Sequence, residues 1–287
     1  MYRAFVVTLL ALTLAGPAAA QELQGTLKKV KDTGTLTLGY RENSPPFSYI
    51  SSLDKVVPIG YSIDLCQRVV NAVKTTLGLP NLQVKWVPVT VADRIAAVAS
   101  GRVDLECGST SITLGRQEQV DFSSMTWVDG AGLLARSGQN VTGLADMGGR
   151  RIAVIPGTTT EKALTDALRK RSVSAQIVPV KDHDEGRDAV LNSKVDGYVS
   201  DRVLLIGLLM TAKEPAKLAL ADEQFSYEPY GLMLRRGDAP FRLLVNRTLA
   251  TLYRSDEMIR VYETWFGGIG RPSSVLVLMY VLNALPD

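Results

Sequence analysis

Short runs with apolar residues at every second position alternate, from Leu23 onward, with longer stretches whose apolar residues recur every three or four positions. Period two predicts strands and the longer period predicts amphipathic helices. On that basis Thr35 to Tyr40 is a strand, Pro45-Pro46 a loop, Ser62 to Leu77 a helix, Gln83 to Val89 a strand and Ala92 to Ser100 a helix, followed by short strands at Val103 to Glu106 and Val120 to Phe122. A second block begins near Gly130. It has an extended run around Leu133-Leu134, strands at Ile152 to Ile155, Gln176 to Val180 and Val195 to Val199, and helices at Thr158 to Lys170, Asp184 to Asn192 and Arg202 to Met210. The chain then returns to a strand at Tyr230 to Leu234 and helices at Pro240 to Tyr253 and Asp256 to Phe266. Strands alternating with helices predict an α/β fold with helices covering a largely parallel sheet. Two such blocks predict two lobes, residues 21–127 with 229–287 and residues 128–228, joined by crossings at Thr126 to Ala131 and Glu223 to Pro229. The apolar run Val275 to Leu282 is too short to span a bilayer and is expected to pack on the first lobe as a strand or a helix.

The start of the chain follows a different pattern. Arg3, an apolar run from Ala4 to Leu14, Gly16-Pro17 and then Ala18-Ala19-Ala20 have the charged start, short greasy centre and small-residue cleavage site of a secretory signal. The expectation is an exported protein beginning at Gln21, with its net charge lowered from +3 to +2 by the loss of Arg3. Export changes the meaning of the two cysteines, Cys66 and Cys107, since an oxidising compartment favours a bridge over the alternative of two buried thiols.

Composition excludes more than it assigns. The 287 residues carry 32 basic against 29 acidic side chains with no basic stripe, which argues against nucleic acid as a partner. One histidine, His183, rules out metal sites needing two, and no metal or cofactor is expected. No strand-linked glycine-rich phosphate loop and no G-x-S-x-G elbow occurs, so nothing asks for a nucleotide or names a nucleophile.

What remains points to an anion. Gly108-Ser109-Thr110-Ser111 follows a strand end, and Arg116 lies five residues past Ser111, so hydroxyls, backbone N–H groups and a guanidinium could converge on a carboxylate. Gly157-Thr158-Thr159-Thr160 repeats the device at a helix start, where Thr158 could also serve as the cap. Arg41 directly follows the first strand, where α/β sheets place ligands. Arg94 opens a helix against the dipole and needs another reason to be there. His183 lies between Asp182 and Asp184, carboxylates that would raise its pKa if they face it in space.

The segments Tyr40-Arg41-Glu42-Asn43-Ser44-Pro45-Pro46-Phe47, Gly60-Tyr61-Ser62-Ile63-Asp64-Leu65, Glu106-Cys107-Gly108-Ser109-Thr110, Gly157-Thr158-Thr159, Lys181-Asp182-His183 and Tyr230-Gly231-Leu232-Met233 resemble the solute-binding proteins of polar amino-acid ABC transporters. Among these the glutamate/aspartate-binding branch is most similar. The resemblance implies a two-lobe periplasmic binding protein fold, α/β, with two hinge crossings and a central ligand cleft. It also implies a periplasmic monomer that delivers an acidic amino acid to an ABC transporter permease without being an enzyme. Carried over, Arg116 takes the ligand α-carboxylate with Ser111 and Thr158. Asp201 receives the α-ammonium with Ser109 close by, and Arg41, Arg94 and His183 surround the side-chain carboxylate. That branch has a serine three residues before the helix-opening arginine where this chain has Val91, so one polar contact is expected to be missing or supplied by Thr90. The rival reading is an exported cyclohexadienyl dehydratase-like enzyme on the same fold.

Overall fold

The structure, a computed structural model, describes residues 22–51 and 57–286. The signal-peptide reading of residues 1–20 lies outside the described residues. Among those described, no helix is long and apolar enough to cross a membrane.

The first lobe is built on α1 (Gly25–Thr33), β1 (Thr35–Tyr40), the small hairpin β2 (Asn43–Ser44) and β3 (Ser48–Tyr49), α2 (Tyr61–Leu77), β4 (Gln83–Pro88), α3 (Arg94–Ala99), β5 (Leu105–Glu106), α4 (Leu114–Gln117) and β6 (Val120–Asp129). The second contains β7 (Ala131–Arg136), β8 (Arg151–Val154), α5 (Thr159–Lys170), β9 (Gln176–Pro179), α6 (His183–Leu191), β10 (Gly197–Asp201), α7 (Arg202–Thr211) and β11 (Leu218–Leu220). The chain then returns through β12 (Glu228–Arg235) and ends in α8 (Ala239–Tyr253), α9 (Glu257–Phe266) and α10 (Ser274–Asn283).

Each lobe has a five-stranded sheet, ordered β4-β1-β5-β12-β6 in the first and β11-β7-β10-β8-β9 in the second. The sheets are mixed and not largely parallel, which corrects the expectation from sequence. The β4-β1-β5 strands run parallel, but β12 is antiparallel to both β5 and β6, and β7 is antiparallel to both β10 and β11. The cause is the double crossing: β6 carries the chain out of the first sheet and β12 brings it back. These two long strands therefore lie side by side with opposite directions. Val120 to Phe122, read as a short strand, is only the first third of β6, which continues to Asp129 and leaves Gly130 alone between the two sheets.

Burial explains the order of elements. The largest core lies under α2, α8 and α9 and is anchored by Leu36, Leu38, Val69, Val70 and Val73, with a ring cluster of Phe47, Tyr61, Trp127 and Phe266 in which Trp127 stacks on Phe266 at 4.1 Å. Val203 and Leu204, from the start of α7, belong to this same core, so the second lobe is seated in the first. Gly207 shows how closely. A Cβ there would lie 2.3 Å from the Pro45 carbonyl oxygen, and only the missing side chain lets α7 rest on the Pro45-Pro46 turn.

Cys66 and Cys107 form a disulfide that ties α2 to the segment after β5 across 41 residues. A loop of that length is stabilised by about 3–4 kcal/mol in the chain-entropy account. It pins the strand end from which Ser109 and Ser111 project.

Candidate ligand-binding site

Separate segments of both lobes deliver the site. Arg41 follows β1, with its N–H donating to Ser48 Oγ (2.8 Å) and its carbonyl accepting from the same hydroxyl (3.2 Å), so the turn after the strand is locked. Arg94 begins α3 after a turn in which Asp93 Oδ1 accepts from the Thr90 N–H and hydroxyl (2.6 and 2.9 Å). The Ser109–Ser111 segment is held by Ser62 Oγ donating to Gly108 O (2.7 Å) and Thr110 Oγ1 donating to Glu106 Oε2 (2.8 Å). A Cβ on Gly108 would lie 2.1 Å from Glu106 Oε1, so glycine there lets the Glu106 carboxyl sit against the turn. Arg116 sits in the short helix α4, capped by Thr113, and its Nη1 donates to Ser111 O at 2.7 Å.

From the second lobe, β10 ends at Asp201, whose Oδ1 accepts from Thr160 Oγ1 (2.8 Å) and whose Oδ2 accepts from Tyr230 OH. His183 opens α6 with Nδ1 against Tyr198 OH at 2.7 Å. A relay of hydroxyls joins the lobes. Thr159 Oγ1 donates to Glu228 Oε2 (2.7 Å), which leaves Ser111 Oγ as the donor across its 3.2 Å contact with Thr159. Ser226 Oγ supplies a further bond to Glu228, at 2.9 Å.

Arg41, Arg94, Ser109, Ser111, Arg116, His183 and Asp201 are all buried, and Thr158 is half-buried. The electrostatics are those of a cationic interior. Burial pushes the Arg41 guanidinium down to about 10, and Arg94 beside it adds to the effect. Arg116 is lowered to about 10 by the same two causes in the same order. Among the described residues none of the three arginines has a carboxylate within 4.0 Å, and Arg94 Nε is buried without a hydrogen-bond partner. A buried cation without a paired anion is costly, so the arrangement fits a site completed by an anionic ligand. Burial, followed by the charge of Glu228, raises Asp201 to about 6. A cationic group placed against it would reverse that shift.

The structure decides three points that the sequence leaves open. His183 is not raised by its sequence neighbours: burial, then Arg41 and Arg94, lower it to about 3, so it is a neutral hydrogen-bonding group. Asp182 and Asp184 are engaged elsewhere, Asp182 capping α6 through the Glu185 N–H (2.9 Å) and Asp184 pairing with Arg187 (2.8 Å). Thr90 does not supply the contact expected near Val91, since its side chain is exposed and bound to Asp93. Val91 itself packs against the core of the second lobe, as an apolar contact between lobes. Thr158 is occupied as the α5 cap, accepting from the Glu161 N–H (3.0 Å) and donating to Ile155 O (2.8 Å), while its neighbour Thr159 makes the contact with Ser111. Sequence reasoning missed Glu228 and Tyr198, and gave no individual role to Tyr230, Thr160 or Glu106.

Residues 36–268 match the family described as bacterial extracellular solute-binding proteins, family 3. The chain belongs to this family. Among its relatives, the L-glutamate/L-aspartate-binding protein of Pseudomonas aeruginosa is 39% identical over 258 residues, covering 90% of this chain and 85% of the relative. The glutamate/aspartate import solute-binding protein of Escherichia coli is 35% identical over 88% of this chain and 82% of its own length. Among solved structures, an ancestral amino acid-binding protein described as a precursor of cyclohexadienyl dehydratase superposes with a TM-score of 0.72 at 26% identity, covering 84% of this chain and 100% of that one. The fold is the two-lobe periplasmic binding protein fold. The curated relatives are binding proteins and not enzymes, which leaves the dehydratase reading the less supported.

Proposed function

We propose that the mature protein works in the periplasm, after export through its N-terminal signal, as the receptor that captures glutamate or aspartate and delivers it to the permease of an ABC importer. The observation that carries this reading is the set of three buried arginines that, among the described residues, have no carboxylate within 4.0 Å, together with the buried carboxyl of Asp201. A ligand with two carboxylates and one ammonium fits that charge pattern. Arg116 and Ser111 bind the α-carboxylate, with Thr158 at the end of α5 beside them. Asp201, near Ser109, binds the α-ammonium. Arg41 and Arg94 bind the side-chain carboxylate, to which neutral His183 offers a hydrogen bond. The crossings after β6 and before β12 act as hinges, and the ligand favours the closed arrangement by its differential affinity for it. The names of the relatives support the same ligand class.

The test is calorimetric titration of protein refolded free of bound ligand. Glutamate and aspartate are expected to bind near micromolar, about −8 kcal/mol, and arginine not at all. Silence toward both acids, or formation of an aromatic product from prephenate, would overturn the proposal.

The state of Asp201 sets the pH profile. With its carboxyl raised to about 6 in the free protein, it is charged above that pH and takes up a proton below it. Binding an ammonium requires the charged form, so affinity is expected to fall by about tenfold per pH unit once the pH drops through 6, with roughly one proton released on binding near pH 5. His183, neutral down to about 3 in the free protein, does not titrate in that window. Titrations in two buffers of different ionisation enthalpy read the proton release directly. A flat profile between pH 5 and 7 would remove Asp201 from the ammonium site.

A further inference from the structure

The family match ends at residue 268, and α10 lies beyond it. One face of this helix is fully used: Leu276 and Met279 enter the first-lobe core, and Tyr280 OH meets Tyr61 OH at 3.0 Å. The opposite face is bare and entirely aliphatic. Val275, Leu278 and Leu282 follow one another at spacings of three and four, the repeat of a helix that packs against another helix, and Leu285 lies just past the helix end. They are 55–65% exposed, as are Val281 beside them and Ile259 across the groove on α9. No charged residue occurs between Ser274 and Asn283.

We infer that this face is a self-association surface, on which α10 of one copy packs antiparallel against α10 of a second copy. The area argues for it. The six side chains leave roughly 600 Å² of apolar surface on each copy, so a twofold pairing buries about 1,200 Å², the lower edge of stable interfaces. A contiguous apolar patch of that size is at the upper limit for a monomer. The seam is self-complementary about a twofold axis, since antiparallel pairing of the two helices sets Leu278 against the second copy's Leu282 and Leu282 against its Leu278. The rim of the groove carries both signs, Asp256 and Glu263 with Arg271, as a self-matching surface requires. A lipid surface is the poorer fit, because an interfacial helix carries lysine and arginine along its polar face and α10 has none. The pairing replaces the monomer expected from sequence and does not depend on the ligand assigned to the cleft.

The test is sedimentation equilibrium of the refolded chain from about 1 to 100 μM, an interface of this size placing the midpoint in the micromolar range. The expected result is a rise from one chain mass to two. Leu278→Glu and Leu282→Lys, both at exposed positions, should each remain at one chain mass with glutamate titrations unchanged. Mixing the two should restore the dimer, because antiparallel pairing sets the new carboxylate against the new ammonium. A single chain mass at 100 μM overturns the inference, as does a dimer that survives both substitutions or chain that stays monomeric in solution and co-sediments with phosphatidylglycerol vesicles.

Discussion

Replacing Arg116 by alanine is expected to weaken glutamate binding by about 3–5 kcal/mol, a loss of some hundred- to several-thousandfold in Kd. The side chain is buried and carried on a four-residue helix whose start is capped by Thr113. Its Nη1 bond to Ser111 O fixes the plane of the guanidinium before any ligand arrives. Little ordering cost then remains to be met on binding, and two parallel N–H groups can meet a carboxylate in one step. Truncation leaves the ligand carboxylate buried near Glu228 and Asp201, whose negative charges act on Arg116 in the intact protein. That repulsion comes on top of the missing pair. Arg116→Lys keeps the charge and loses the fork, so its affinity should fall between those of the wild type and the alanine variant. A folded alanine variant, checked by its thermal transition, that retains near-native affinity would take Arg116 out of the site.

The helices and most strands were readable because each is specified by residues close together in sequence, and Cys66 and Cys107 were readable because an exported chain restricts what two cysteines can become. Arg41 and Arg94 stood out for a similar reason: each lies at a strand end or helix start, where a charged side chain has no local explanation, whereas Arg116 stood out by its spacing from Ser111 and Asp201 was assigned only through the resemblance. Properties that depend on distant partners were not readable. Glu228 and Tyr230 look like ordinary positions of a strand until β12 is laid beside β6, and only then does Tyr230 reach Asp201 and Glu228 reach Thr159. The charge state of His183 was not readable, because its neighbours in sequence are acids whereas its neighbours in space are Arg41 and Arg94. The long extent of β6 escaped notice because Ser123 and Ser124 interrupt the apolar pattern. Both are explained by contacts from elsewhere: Ser123 Oγ accepts from the Leu232 N–H (2.9 Å) and the Ser124 N–H donates to Asn246 (2.8 Å).

Glutamine is expected to bind at least about a hundredfold more weakly than glutamate, although the two differ by one amide in place of one oxygen. In the proposed site two buried arginines face the end of the ligand side chain, and the charge of Arg94 adds to the burial that lowers Arg41 to about 10. A carboxylate relieves the like-charge repulsion and accepts from both guanidinium groups. An amide relieves none of it and turns its own N–H donors toward groups that can only donate. Neutral His183 cannot compensate for a missing charge, though it can still bond to either ligand. Val91 sharpens the dependence on the arginines: where the acidic amino-acid branch has a serine, an apolar side chain packs between the lobes, so a carboxylate here has one hydroxyl fewer to rely on. Arg41→Gln should therefore lower glutamate affinity much more than glutamine affinity and narrow the gap between them. Equal binding of the two ligands to the wild-type protein would refute the roles given to Arg41 and Arg94 while leaving the Arg116 clamp in place, because the α-carboxylate is common to both.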